Sequence, residues 1–254
     1  MPVQPIASNR PRAILCDIDG CLYDWTAPLD HDAFAVIRSH LTRLDPPVPF
    51  SLMTGRSVEF VKVMAAALGL DARPSPHLCE LGGMILQGTG PDVTIHPLIQ
   101  KYGPERLRRD RIMMMELVAE QLAPASFEPS RDFTLNIVTA RGDIAARRKD
   151  EIAAVITPRF PAARILDSGA VVDVSLVPLS KSTGLEYLTG SFPDWEPAGI
   201  LAIGDSENDL DVLRLTGFSA CPANAAPAVK DTVGYVSRFT GVHGVIDILE
   251  HFLG

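Results

Sequence analysis

Two carboxylates stand two residues apart in Asp17-Ile18-Asp19-Gly20, at the end of the apolar run Arg12–Asp17. In extended backbone such residues point to the same side, so two anions meet at the mouth of a buried strand. They repel unless a counter-charge joins them, and a set of oxygen donors suits Mg²⁺, which rarely uses an all-protein cage. Taken alone, the tetrapeptide is equally good turn chemistry.

Three further segments change that balance. Gly204-Asp205-Ser206-Glu207-Asn208-Asp209 also follows an apolar run and opens a helix, so Asp205 can complete a metal site. Ser206 and Asp209 suit a helix start equally well. Thr54-Gly55-Arg56-Ser57 offers a hydroxyl and free backbone N–H groups at another helix start, a phosphate cradle or an ordinary capped turn. Lys181 opens the stretch KSTGLEYL and gains meaning only beside the other three. Together they describe one reaction. Asp17 attacks a phosphoryl group to form an acyl phosphate. Asp19 protonates the leaving alcohol and then deprotonates the water that cleaves the intermediate. Mg²⁺, Thr54 and Lys181 offset charge on the transferring oxygens.

The elements that must hold these residues are legible as well. Arg12–Asp17, Val48–Met53 and Ala198–Ile203 are short apolar runs, each followed by a small or polar turn. Helical spacing follows over Asp30–Leu44, Ser57–Leu70 and Glu207–Leu215. Strand–turn–helix repetition predicts an α/β fold, a Rossmann-like parallel sheet with helices on both faces and ligands at the strand carboxyl ends. Residues 83–178 follow another pattern. MILQG, the turn TGPD and VTIHPL read as a hairpin. A helix over Pro104–Leu122, a strand over Phe133–Thr139, a helix over Gly142–Pro158 and strands over Ala163–Leu166 and Ala170–Leu176 follow. The expected organisation is therefore a catalytic core of residues 1–82 and 179–254, with an inserted α+β cap over 83–178.

Composition narrows the class. The 254 residues carry 23 Lys+Arg against 31 Asp+Glu, a formal charge of −8, with 46% hydrophobic residues. That is too apolar for a disordered chain, and the acidic balance argues against nucleic-acid or membrane-surface partners. No apolar run reaches the ~18 residues of a membrane span. Cys16, Cys21, Cys79 and Cys221 form no CxxC pair, and the polar start MPVQPIASNRPR has no apolar secretion core. The expectation is a cytoplasmic protein with reduced thiols, a monomer or small homo-oligomer whose partner is a small phosphorylated metabolite.

DIDGCL (Asp17–Leu22), LMTGRS (Leu52–Ser57), Lys181 and GDSENDLDVL (Gly204–Leu213) resemble, in order and context, the four motifs of the haloacid dehalogenase-like hydrolase superfamily. The insert between the second and third motifs resembles subclass IIB, with its Cof-type cap. The C-terminal stretch from Ala220 resembles archaeal-type phosphoglycolate phosphatases and relatives of sucrose-phosphate phosphatase. This resemblance implies Asp17 as nucleophile, Asp19 as general acid/base, and Thr54, Gly55, Lys181 and Asn208 at the phosphate. It implies Mg²⁺ held by the Asp17 side chain, the Asp19 main-chain carbonyl and Asp205, with Asp209 in support. The implied activity is phosphatase action on a sugar phosphate, a glycosyl phosphoglycerate or phosphoglycolate. A phosphomutase on the same scaffold and a non-catalytic sugar-phosphate sensor are the alternatives.

Two departures stand out. Cys21 replaces the usual Thr or Val, a small-for-small change that reads as a packed thiol. Cys79-Glu80-Leu81-Gly82-Gly83 resembles the family's Glu-Asn-Gly hinge with Leu81 in place of Asn. In the cap, Arg131, Asn136, Arg141, Ser168 and Asp173 are the polar residues in position to read a substrate, against solvated roles for each. The basic RLRRDR run of the first cap helix reads as a solvated face and the following Met run as core filling. His77, His96 and His243 lack metal spacing and read as structural or surface residues.

Overall fold

The computed structural model describes residues 10–43, 47–70, 75–122, 124–128, 130–138, 143–167, 171–192 and 195–254. At its centre lies strand β1 (Ala13–Cys16), paired in parallel with β2 (Phe50–Leu52) on one side and β10 (Ile200–Ile203) on the other. Strands β11 (Phe218–Cys221) and β12 (Tyr235–Val236) extend the sheet in the order β12-β11-β10-β1-β2. Every residue of β1, β2 and β10 is buried, as the continuous apolar runs require for a sheet covered on both faces. Ile14 and Cys16 face a cluster with helices α1 (His31–Arg43), α2 (Val58–Ala67) and α8 (Gly241–Leu253). Ala13 and Leu15 face α6 (Lys181–Ser191) and α7 (Leu210–Leu215).

Register decides where the motifs meet. Cys16 lies level with both Leu52 and Ile203. The backbone bonds Asp17 N–H to Ile203 O (2.9 Å) and Met53 N–H to Cys16 O (2.9 Å) carry that alignment past the strand ends. Asp17, Thr54 and Gly204-Asp205 therefore emerge along one edge.

Strand β3 (Pro76–Cys79), which propensity hides behind Pro76 and His77, runs beside β2 through the bridge Met53–Leu78. It pairs antiparallel with β4 (Met84–Gln87), which pairs with β5 (Val93–Ile95). Met84, Leu86 and Val93 pack with the core cluster, so the hairpin at the start of the expected insert continues the edge of the core.

A four-stranded antiparallel sheet, β6 (Ser126–Phe127), β7 (Thr134–Val138), β9 (Val171–Ser175) and β8 (Arg164–Asp167), forms the second layer in the order β6-β7-β9-β8. Alternation sorts its faces. Leu135, Ile137, Val172 and Val174 pack with α4 (Pro104–Gln121) and α5 (Asp143–Ile156). Asn136 and Asp173, directly opposite in register, point the other way. Met114 is core filling as expected, but the basic run is not uniformly solvated: Arg111 is buried and donates to Thr134 O at 3.0 Å. The short α3 (Pro97–Tyr102) links hairpin to cap. No helix among the described residues is long and apolar enough to cross a membrane.

Candidate active site

Asp17 sits at the end of β1 and is buried. Its Oδ1 accepts from Ile18 N–H at 2.8 Å, and its Oδ2 lies 2.9 Å from Lys181 Nζ. Lys181 is 0% exposed. It is delivered by the first turn of α6, where Ser180 and Thr183 form a reciprocal cap. Its ammonium also reaches Asp209 Oδ1 at 2.6 Å. Burial alone would lower the lysine's pKa, but Asp17 and Asp209 hold it above the ordinary value. Asp209 Oδ2 accepts the N–H groups of Asp205 and Ser206, both at 3.0 Å, which fixes the turn after β10.

Carboxylate oxygens of Asp17, Asp205 and Asp209 lie within 4.8 Å of one another. Three carboxylates with one contacting ammonium leave an excess of two negative charges, the complement of a divalent ion. Burial pushes the Asp17 carboxyl well up, and neighbouring Asp209 and Asp205 add to this while Lys181 opposes it. Such a site is short of positive charge. Glycine makes the close approach possible: at Gly20 (φ +81°) a Cβ would lie 2.0 Å from Asp205 Oδ2. The donor set is all oxygen, with Asp209 already engaged by Lys181 and two N–H groups, so it fits Mg²⁺ with Asp209 in support.

Thr54 is buried at the end of β2; its Oγ1 accepts from Arg56 N–H at 3.1 Å. Gly55 leaves room for the cap: a Cβ there would lie 3.1 Å from Arg131 Nη1. Asn208 is largely buried, and its Oδ1 accepts from Ser206 Oγ at 3.1 Å. Asp19 turns elsewhere. Arg56 grips its carboxylate with Nε–Oδ2 at 2.8 Å and Nη2–Oδ1 at 2.7 Å. Asp17, Asp19, Thr54, Gly55, Arg56, Asp205 and Asn208 border one cavity of about 940 Å³, walled on the cap side by Arg131, Asn136, Val171 and Asp173. Asp173 Oδ1 accepts from Arg131 Nη1 and Asn136 Nδ2, each at 2.9 Å. Three of the five expected cap positions thus line the cavity, while Arg141 and Ser168 lie outside the described residues.

The arrangement brings a buried carboxylate–ammonium pair, a metal-suited carboxylate set and a second carboxylate together at one strand edge. The sequence profile of the haloacid dehalogenase-like hydrolases matches residues 119–249, more than half of the chain. This chain belongs to that family. It is 26% identical over 246 residues to the phosphoglycolate phosphatase of Archaeoglobus fulgidus, covering 96% of this chain and 98% of the relative. Its fold is similar to that of the sucrose-phosphatase from Synechocystis sp. PCC6803, solved with sucrose and phosphate (TM-score 0.70, 19% identity, 96% of this chain and 98% of the other). It is also similar to the haloacid dehalogenase subclass IIB sugar phosphatase BT4131 (TM-score 0.68, 15% identity, 95% and 98% covered).

Within this hydrolase fold, two residues had no assigned role from sequence. Glu80, in the hinge, is buried with φ 47°. Its carboxylate accepts the N–H groups of Asp132 (2.6 Å), Phe133 (2.8 Å) and Thr134 (3.0 Å) at the start of β7. Its own N–H bonds Arg56 O at 3.0 Å, so one residue ties the Thr54 loop to the cap. The doubled glycine beside it is the signal that could have marked it. Glu128 joins Arg56 to Arg131 across the same seam. Leu81 (φ 58°) is buried in the cap's apolar cluster, where the family's hinge Asn would bring an amide. Cys21 is the packed thiol expected: burial, then nearby Asp205, pushes its pKa well up, which removes reactive thiolate.

Proposed function

We propose that this chain is a Mg²⁺-dependent phosphatase that hydrolyses a small phosphorylated metabolite through an aspartyl-phosphate on Asp17. The candidate substrates are a sugar phosphate, a glycosyl phosphoglycerate and phosphoglycolate. The observation that carries the reading is the buried Asp17–Lys181–Asp209 cluster beside Asp205, with its two-charge deficit at the strand carboxyl edge. Relatives named phosphoglycolate phosphatase support the reaction class.

An Asp17 carboxylate oxygen attacks phosphorus, and the bond to the leaving oxygen breaks as Asp19 donates a proton to it. Asp19 then accepts a proton from water, whose oxygen attacks the same phosphorus. The acyl phosphate bond breaks, inorganic phosphate leaves, and Asp17 and Asp19 return to their starting states. Lys181 holds Asp17 in place and offsets charge on the phosphoryl oxygens. Thr54, the Gly55 backbone and Asn208 cradle those oxygens. Asp17, Asp205 and the Asp19 carbonyl would hold Mg²⁺, with Asp209 in support. When bound, the ion would supply positive charge where the transferring oxygens gather negative charge. We assign the core to residues 1–82 and 179–254 and the inserted segment to 83–178. Within that segment the antiparallel sheet with α4 and α5 excludes water and reads the leaving group.

The test is a panel of phosphate esters with purified protein and Mg²⁺, compared by kcat/KM. Release of inorganic phosphate without a bisphosphate activator is expected, and a requirement for that activator would indicate a mutase. Asp17→Asn should abolish turnover with the circular-dichroism spectrum unchanged. A variant that keeps near-normal rates would overturn the mechanism.

A further inference from the structure

Asp19 is gripped in a way its proposed task does not call for. A general acid must offer an oxygen to the leaving group, yet both carboxylate oxygens are taken by Arg56 at 2.7 and 2.8 Å. The remaining terminal nitrogen of that guanidinium, Nη1, lies 3.7 Å from Glu128 Oε2 of the cap. The Arg56 plane rests over the Phe60 ring, 4.8 Å from its centroid.

Glu128 does not stand alone. The same Oε2 accepts from Arg131 Nε at 3.0 Å, and Arg131 Nη1 donates to Asp173 Oδ1 at 2.9 Å. Asp173 lies across from Asn136 on the cavity wall. Charges thus alternate along Asp19, Arg56, Glu128, Arg131 and Asp173, from the catalytic edge of the core to the wall that meets the leaving group.

We infer that Glu128 is a positioning residue for Asp19, acting through Arg56, so that cap seating governs whether Asp19 presents an oxygen to the leaving group. The inference rests on the phosphatase reading above. Glu128 and Asp19 compete for one guanidinium. The Glu128 contact is the longer, so an approach of the cap strengthens it and draws the guanidinium away from the Asp19 fork. A group bound against Asp173 and Asn136 acts on Arg131 and hence on Glu128. The contacts are partly exposed at Arg56 and Asp19 (23% and 35%), where ion pairs add little to stability. The Arg56–Asp19 pair is therefore better suited to setting geometry than to holding the fold, while the Arg131–Asp173 pair behind it is buried.

The experiment compares Glu128→Gln with the unaltered protein, both with Mg²⁺, on two esters. The leaving group of a primary alkyl phosphate needs a proton, and that of p-nitrophenyl phosphate does not. Kcat/KM is the proper readout, because it stops at departure of the first leaving group and excludes the later water step. Since general acid catalysis is worth about 10²–10⁴-fold, a partial loss should lower kcat/KM about tenfold for the alkyl ester, and less than about twofold for the nitrophenyl ester. Equal losses on both esters, or no loss on either, overturn the inference and leave the phosphatase reading standing. Failure of the unaltered protein to hydrolyse any ester overturns both. Should Glu128→Gln not fold, Glu128→Asp keeps the charge but withdraws it from Arg56, and the same selective loss is expected.

Discussion

His77 gives the structure a measurable dependence on pH. It is wholly buried on β3 beside β2, and its Nδ1 accepts from Leu52 N–H at 3.1 Å. The ring's hydrogen must therefore sit on Nε2, which has no hydrogen-bond partner among the described residues. Protonation would remove the acceptor and bury a charge, and burial pushes the pKa from 6.5 down to about 4. Between those values the unfolded chain binds a proton that the folded chain refuses. The His77 contribution is complete above pH 6.5 and is lost as pH falls, by about 1.4 kcal/mol per pH unit. From pH 7 to pH 5 this amounts to about 2 kcal/mol. In His77→Asn the side-chain oxygen can accept from Leu52 N–H, but nothing titrates. The smaller residue leaves a cavity that costs stability at every pH, so the informative quantity is the difference in slope. Urea unfolding of both proteins at pH 7 and pH 5 measures it. The unaltered protein should lose about 2 kcal/mol more than the variant over that interval. Equal losses would mean that His77 is protonated, or solvated, in the folded chain.

Lys181→Met should leave Asp17 and Asp209 buried without their cation. The expected cost is roughly 3–5 kcal/mol without Mg²⁺, read as a fall in Tm in chelator, and an unchanged Tm would show that the carboxylates simply protonate. Glu80→Gln replaces one carboxylate oxygen by an amide group facing the N–H donors of Phe133 and Thr134. A loss of about 2–4 kcal/mol in urea unfolding is expected from unmade buried hydrogen bonds, and an unmoved midpoint would show that the cap is held by other contacts.

Most of the parallel core was legible because each motif strand is a continuous apolar run ending in a polar turn. The same local pattern set the edge on which Asp17, Thr54 and Asp205 meet. Asn136 and Asp173 were picked out only as polar residues in cap strands; the structure sets them on the face opposite Leu135 and Val172. Strand β3 escaped because its pairing partners, not its own Pro76 and His77, make it a strand. Strands β11 and β12 are short and flank turns, and their order in the sheet depends on contacts remote in sequence. Glu128, and Glu80 but for the glycines that follow it, escaped for a related reason. Glu80 acts on backbone N–H groups tens of residues away, and Glu128 links its near neighbour Arg131 to Arg56, which is equally remote in sequence.

On the proposed reading the substrate is an anion while the formal charge is −8, and the distribution of charge resolves the conflict. Residues 83–178 hold 12 basic and 12 acidic side chains, so the excess lies in the core, with 11 basic against 19 acidic. Part of that excess is the Asp17, Asp205 and Asp209 group itself. Among the described residues at the site, Lys181, Arg56 and Arg131 each already contact a carboxylate. On the proposed reading, attraction for a phosphate therefore cannot come from these cations alone. It has to come from the divalent ion that the three carboxylates call for, together with the N–H groups after Thr54. The acidic core is then the condition for binding the ion, and the ion the condition for binding the anion.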